Sequence, residues 1–192
     1  MSEIQVNTIN EYTGANGVTI DGVLIKDGNV DGIDVSGITQ GITEYDAWKQ
    51  TSNVTSDGDL TSNWSRITTP SGVGYFGTGM TESSGIFTFP STGYWKVGFH
   101  AVMDIGTSGA DATVQVIAYV TTNDSSYSDF ARIREGNRNS GGGAGGSANS
   151  EGVIDVTDTS QVKVKFRADS FSSGSTLYGG YSRFYFERLG DT

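Results

Sequence analysis

The stretch QVKVKFRAD, from Gln161 to Asp169, alternates without a slip. Val162, Val164, Phe166 and Ala168 fall on one side, and Lys163, Lys165, Arg167 and Asp169 on the other. A period of two belongs to a strand with one buried face, whereas a helix would scatter these four apolar residues around its axis. Such a strand is stable only when its apolar face is covered by another layer. The fold therefore depends on whether the rest of the chain supplies strands or helices.

It supplies strands. GYWKVGFHAVM sets Trp95, Val97, Phe99 and Ala101 on one face and Lys96 and His100 on the other. ATVQVIAYVTT places Val114, Val116, Ala118 and Val120 together, with Gln115, Ile117 and Tyr119 opposite. That second side is not polar and leaves room for a cover of its own. YSRFYFERL carries Phe184 and Phe186 inward and Arg183, Tyr185 and Glu187 outward, or the reverse. WSRIT, GYFG, GIFTFP, DFARIRE and EGVIDV add shorter runs, Pro90 ending one of them. TEYDAWKQ, ending at Gln50, is the one helical candidate, a single turn. GNRNSGGGAGGSAN, Gly136 to Asn149, has the composition of a flexible loop between two strands. About eight or nine short strands with polar turns predict an all-β sandwich over residues 45–192. The 28 glycines and 2 prolines fit a turn-rich chain of this kind.

Residues 1–44 differ in kind. They hold no Trp or Phe, and their apolar residues are almost all Ile and Val. Ile20, Val23, Ile25, Val30, Ile33 and Val35 lie among Asp21-Gly22, Asp27-Gly28, Asp31-Gly32 and Ser36-Gly37, all turn dipeptides. The strand pieces between them are too short to be stable alone. Three copies around an axis, each giving one wall of a small β-prism, would bury these faces. The alternative is an arm that packs on its own globular domain.

Some of these residues resemble known families. GYFGTGMTESSGIFTFPSTGYWKVGFHA resembles the front half of a C1q/TNF-like jelly roll, and VKVKF with SRFYFERLG resembles its last two strands. VNTINEYTGANGVTIDGVLIKDG resembles N-terminal segments of virion structural proteins of tailed phages, marine ones in particular. The Gly-rich loop departs from the jelly-roll pattern. The resemblance implies a homotrimer with aromatic residues packed at its axis, residues 1–44 as a docking or trimerisation stem, and residues 45–192 as a knob. It also implies a place on the surface of a phage particle, as a tail fibre or similar appendage that adheres to a host-surface glycan or protein. Other virion proteins would then be partners through the N-terminal segment. The alternatives are a head-decoration or cement protein and, further off, a surface glycan hydrolase.

Chemistry has little to stand on in this sequence. There is no cysteine, and His100 is the only histidine, without partners at metal-ligand or acid–base spacing. GTSGA lacks the helix that follows a nucleophile elbow, and GGGAGG lacks the Lys-Ser/Thr of a phosphate loop. Asp57 and Asp59 in TSDGD, like Asp27, Asp31 and Asp34, fall short of a calcium-loop pattern and read as turn residues. No catalytic residue, metal or cofactor is expected. A net charge of −10 argues against a nucleic-acid surface. No stretch approaches the roughly 20 apolar residues of a membrane span. The opening MSEIQVNTIN has no signal-peptide pattern, so synthesis in a bacterial host cytoplasm and release inside an assembled particle are expected.

Binding falls to the aromatics. Trp95, Tyr119, Tyr127, Phe130, Tyr178, Tyr181 and Tyr185 suit a trimer axis, a sugar-binding rim or the core. Tyr119, Tyr181, Phe184 and Phe186 are the candidates for a subunit interface or the core. Asn123, Asp124, Tyr127 and Tyr178 are the candidates for loops that face a receptor, since loops carry recognition while the scaffold holds them.

Overall fold

The computed structural model describes residues 18–20, 23–26, 29–30, 33–34, 41–70, 74–106, 113–136, 144–171 and 174–192. The chain divides into two units, Met1–Gly41 and Ile42–Thr192. Glu44 is tied to the second: its carbonyl accepts from the Arg188 amide at 3.0 Å, and its carboxylate from the Thr78 amide at 2.7 Å.

The first unit holds β1 (Val18–Ile20), β2 (Val23–Lys26), β3 (Asn29–Val30) and β4 (Ile33–Asp34), paired antiparallel in that order. Ile20 opposes Val23, Lys26 opposes Asn29 and Val30 opposes Ile33. In the sequence an Asp-Gly pair separates each of these strands from the next, the preferred two-residue hairpin dipeptide. The register sets Val18, Ile25, Val30 and Ile33 in one row across the sheet, with the Ile20–Val23 pair two positions along.

The second unit begins with β5 (Tyr45–Gln50), β6 (Gly58–Asp59), β7 (Trp64–Arg66), β8 (Tyr75–Phe76), β9 (Thr81–Ser83) and β10 (Ile86–Thr88). Longer strands follow: β11 (Gly93–Ile105), β12 (Thr113–Thr121), β13 (Tyr127–Gly136), β14 (Ala144–Val156), β15 (Lys163–Asp169), β16 (Thr176–Leu177) and β17 (Arg183–Gly190). They form two antiparallel sheets. One runs β13-β12-β15-β10-β9 with β6 also on β15; the other runs β14-β11-β17-β5-β7 with β16 on β11 and β8 on β5. Among the described residues there is no helix. Several strands are only two or three residues long, which is why the sequence shows fewer of them.

The alternating residues meet between the sheets. Trp95, Val97, Phe99, Ala101, Val164, Phe166, Ala168, Phe184 and Phe186 are all fully buried. The Phe166 ring centroid lies 4.7 Å from that of Phe184, 5.7 Å from Phe99 and 5.8 Å from Phe87. The last strand is thereby settled: its two Phe residues face inward and Tyr185 outward. Ile117 is also buried, on the other face of β12, where Arg132 and Arg167 oppose it on the neighbouring strands. Their aliphatic stems suit such a cover.

Two expectations are corrected. TEYDAWKQ is not a helical turn: β5 pairs along β17, with Trp48 opposite Phe184 and Asp46 opposite Phe186. Asp46 is buried there because Arg66 reaches it at 2.9 and 3.1 Å and the Met80 amide at 2.7 Å. Partners 20 and 34 residues away make an acidic residue tolerable on a core-facing position. Gly136 to Asn149 is not wholly a loop. Ala144 to Asn149 belong to β14, paired with Ile105 to His100 of β11. The ladder offered by a 13-residue neighbour overrides the low strand propensity of glycine. One glycine of β14 is also required by packing: a Cβ on Gly152 would stand 2.8 Å from the Phe130 ring of β13.

Candidate functional site

The outward faces of the two sheets differ sharply. On the six-stranded sheet the outward side chains pair with one another: Lys163 with Asp124 at 2.6 Å, Lys165 with Asp59 at 2.8 Å, and Arg132 with Asp129 at 2.5 Å. Such exposed pairs contribute little stability and mark a solvated surface.

On the seven-stranded sheet the outward face carries an aromatic stack. Tyr45 lies parallel to Phe76 at 5.9 Å and to Tyr185 at 6.4 Å. Three strands bring the rings together: β8 and β17 both flank β5. Gly98 makes the Tyr185 position possible. It stands opposite Tyr185 on β11, and a Cβ there would fall 2.3 Å from the tyrosine ring. The ring thus lies flat over Gly98 and its hydroxyl donates to Glu151 of β14 at 2.8 Å. In the next row Val153, Lys96, Glu187, Tyr45 and Phe76 follow one another across five strands. Lys96 and Glu187 pair at 2.5 Å.

Electrostatics keeps this face neutral in its tyrosines. Burial and the bond to Glu151 push the Tyr185 phenol up to about 12. Burial, then the Glu187 charge, raises Tyr45. The hydrogen bond to Glu187 raises Lys96, which stays a cation. Phe76, in the stack, is 46% exposed, and Val153, in the same row on β14, is 61% exposed. An aromatic, partly apolar surface with its charges already paired is the kind that packs against another protein surface.

The residues singled out from sequence are dispersed. Phe184 and Phe186 are core. Tyr119 and Tyr127 are on the six-stranded sheet, with the Lys165 ammonium 5.8 and 4.5 Å from their ring centres. Burial, then Asp124, raises the Tyr127 phenol. Asn123 spends its side-chain oxygen on its own loop, accepting from the Ser125 and Ser126 amides at 3.1 and 2.9 Å. Tyr178 and Tyr181 meet edge to face at 6.3 Å, Tyr181 being largely exposed. The Tyr178 amide bonds the carbonyl of Val102, near the end of β11, whereas Asn123, Asp124 and Tyr127 follow the end of β12. The structure places Tyr178 at one end of the sandwich and the other three at the opposite end. In the first unit, Ile20, Val23, Ile25, Val30 and Ile33 are on β1 to β4, Val30 half-buried. Val35, Asp27, Asp31 and residues 107–110 lie outside the described residues.

Neither Asp57 nor Asp59 is free for a metal. Asp57 accepts from the Phe171 amide at 2.6 Å, and Asp59 is paired with Lys165 and Arg167. Among the described residues no three His, Cys, Asp or Glu side chains form a metal-binding group. His100 meets Asn149 through Nδ1 at 2.6 Å. Sequence reasoning flagged Tyr185 but missed Tyr45 and Phe76; the one signal was that Phe76 sits in a short run between Gly74 and Gly77.

No family model and no curated protein matches the chain. Solved structures do. The chain is similar to murine APRIL at pH 5.0, with a TM-score of 0.56 and 13% identity over 76% of this chain and 98% of that one. It is similar to Eiger TNF from S. frugiperda, with a TM-score of 0.57 and 13% identity over 77% and 93%. Murine APRIL at pH 8.5 gives 0.54 and 11% over 76% and 98%. At such identities the likeness concerns the fold, and the sandwich of residues 42–192 is a TNF-like jelly roll.

Proposed function

We propose that the chain is a non-enzymatic, trimeric surface protein of a tailed-phage particle, with residues 1–44 as a docking or trimerising stem and the jelly roll as an adhesive knob. The observation that carries the trimer is the Phe76–Tyr45–Tyr185 stack on the free face of the seven-stranded sheet. A second and third copy would cover these rings, and the opposite sheet, dressed in paired charges, would face solvent. The TNF-like fold supports the same arrangement. The phage setting is supported by the wording of the opening segment, and adhesion by the number of loop ends a three-fold knob presents. Weak sites repeated on each knob and on many knobs raise avidity without tight single contacts.

The test is the mass of the full-length chain in solution by light scattering, beside a version starting at Gly41, which keeps Glu44 and its bonds. Trimers in both cases support assembly through the knob face. Monomers in both cases overturn it. Peptide mass spectrometry of purified particles, with antibody labelling, then tells a tail location from a capsid one, and a block of adsorption by the free knob tests adhesion.

A further inference from the structure

Between β5 and β7 the chain leaves the seven-stranded sheet, pairs through β6 with β15 of the other sheet, and returns. Residues 53–63 thus form a strap across one end of the sandwich. It is pinned at many points. Val54 and Leu177 exchange backbone bonds at 3.0 and 2.8 Å, and the Leu60 amide donates to Phe166 at 2.9 Å. Trp64 Nε1 donates to the Leu60 carbonyl at 2.7 Å, and the Gly179 amide donates to Asn53 Oδ1 at 3.3 Å.

The strap and Gln50 line an open polar pocket of about 240 Å³. Gln50 is 2% exposed, yet its Nε2 has no hydrogen-bond partner. A buried amide without a protein partner is costly, so the Gln50 Nε2 calls for a partner from solvent or from a ligand. The rest of the lining is rich in groups that both donate and accept: the hydroxyls of Thr55, Ser56, Thr61 and Ser62 and the carboxamide of Asn63. Asp57 and Asp59 in the same lining discourage an anion.

We propose that this pocket binds one ring of a carbohydrate, with a ring hydroxyl or carbonyl oxygen satisfying Gln50. A hydroxyl both donates and accepts, so it pairs with the Gln50 carboxamide in either of its two orientations. The volume lies below the ~300–1,000 Å³ of sites for drug-sized ligands, which suits a ligand of single-ring size. The strap is held in place by the protein's own bonds, so binding has little ordering cost. The neighbouring turn carries the exposed Tyr181, a ring on which a sugar face can stack. The inference rests on the adhesive reading and names its ligand class, at the end of the knob where Tyr178 lies.

The test follows the Gln50 side-chain amide and the amides of residues 53–63 and 178–181 by NMR in the ¹⁵N-labelled full chain. The probes are methyl galactoside, methyl glucoside, methyl mannoside and N-acetylglucosamine, with glycerol as the control. Saturable shifts confined to Gln50, the strap and the turn at 178–181 are expected with at least one sugar, and not with glycerol. Gln50→Leu should then weaken binding about tenfold, and Thr55→Val, on the exposed rim, should weaken it without touching the interior. No saturable shift with any of the four sugars, shifts that spare Gln50, the strap and the turn at 178–181, or unchanged affinity in both variants overturns the site. Light scattering on the same samples separates the two proposals: a trimer that ignores every sugar sinks the pocket alone.

Discussion

Replacing Phe76 by serine tests the proposed subunit face most directly. Phe76 is 46% exposed in the single chain. An aromatic side chain offers about 200 Å², so roughly 90 Å² remains to be buried by a neighbouring copy. At about 25 cal/mol per Å² this is about 2 kcal/mol per protomer and about 7 kcal/mol for a closed trimer. Tenfold per 1.4 kcal/mol makes that about five decades in the trimer dissociation constant, or roughly a 300-fold rise in the half-assembly concentration. Sedimentation velocity over a dilution series measures it. The matched control is Tyr127→Ser on the six-stranded sheet, where no shift is expected. A half-assembly concentration for Phe76→Ser within a few-fold of the parent, or an equal shift in the control, would refute the assignment of the face.

Alkaline titration should cost stability. Tyr185, pushed up to about 12, and Tyr45, also raised, keep protons in the folded chain that the unfolded chain releases near 10. Their contribution is full below about pH 10 and is lost as pH rises towards 12; urea midpoints should fall over that window, and less steeply in Tyr185→Phe. Arg66→Met strands the buried Asp46 and should cost about 3–5 kcal/mol, with much of it returned in Asp46→Asn/Arg66→Met. Urea unfolding at fixed protein concentration measures this through tryptophan emission, since the Arg66 guanidinium lies 4.7 Å from the Trp48 ring centre. Gln50→Leu removes the unpaired amide and should raise the Tm of the sugar-free chain, by about 1 kcal/mol of stability; a lowered Tm would show that the amide is already satisfied.

Much of the sandwich was legible in the sequence because its strands bury one face each. Residues 162–168 and 95–101 show their inward set by period alone, and the structure buries that set. The same logic fails where the cause is distant. Nothing near Asp46 announces that Arg66 and the Met80 amide will meet it inside, so β5 reads as a turn of helix. Glycines 145 and 146 read as a loop because β11, their partner, is some 40 residues earlier. The proposed subunit face has the same difficulty. Tyr45, Phe76 and Tyr185 come from three separated strands, and only pairing through β5 sets their rings in one stack. Gln50 carries no sequence signal at all, since an unpaired amide is a property of its surroundings.

The order of strands also bears on how the protein is made. β17 (Arg183–Gly190) lies between β11 and β5, so the two halves of the larger sheet have no ladder in common until residues 183–190 are available. During synthesis β5 leaves the ribosome long before its main partner exists, and Trp48 waits without Phe184 opposite it. Closure of the knob is therefore a late, non-local event, of the kind that makes β folds slow. A chain cut short before residue 183 would lack the strand that joins the two halves of this sheet.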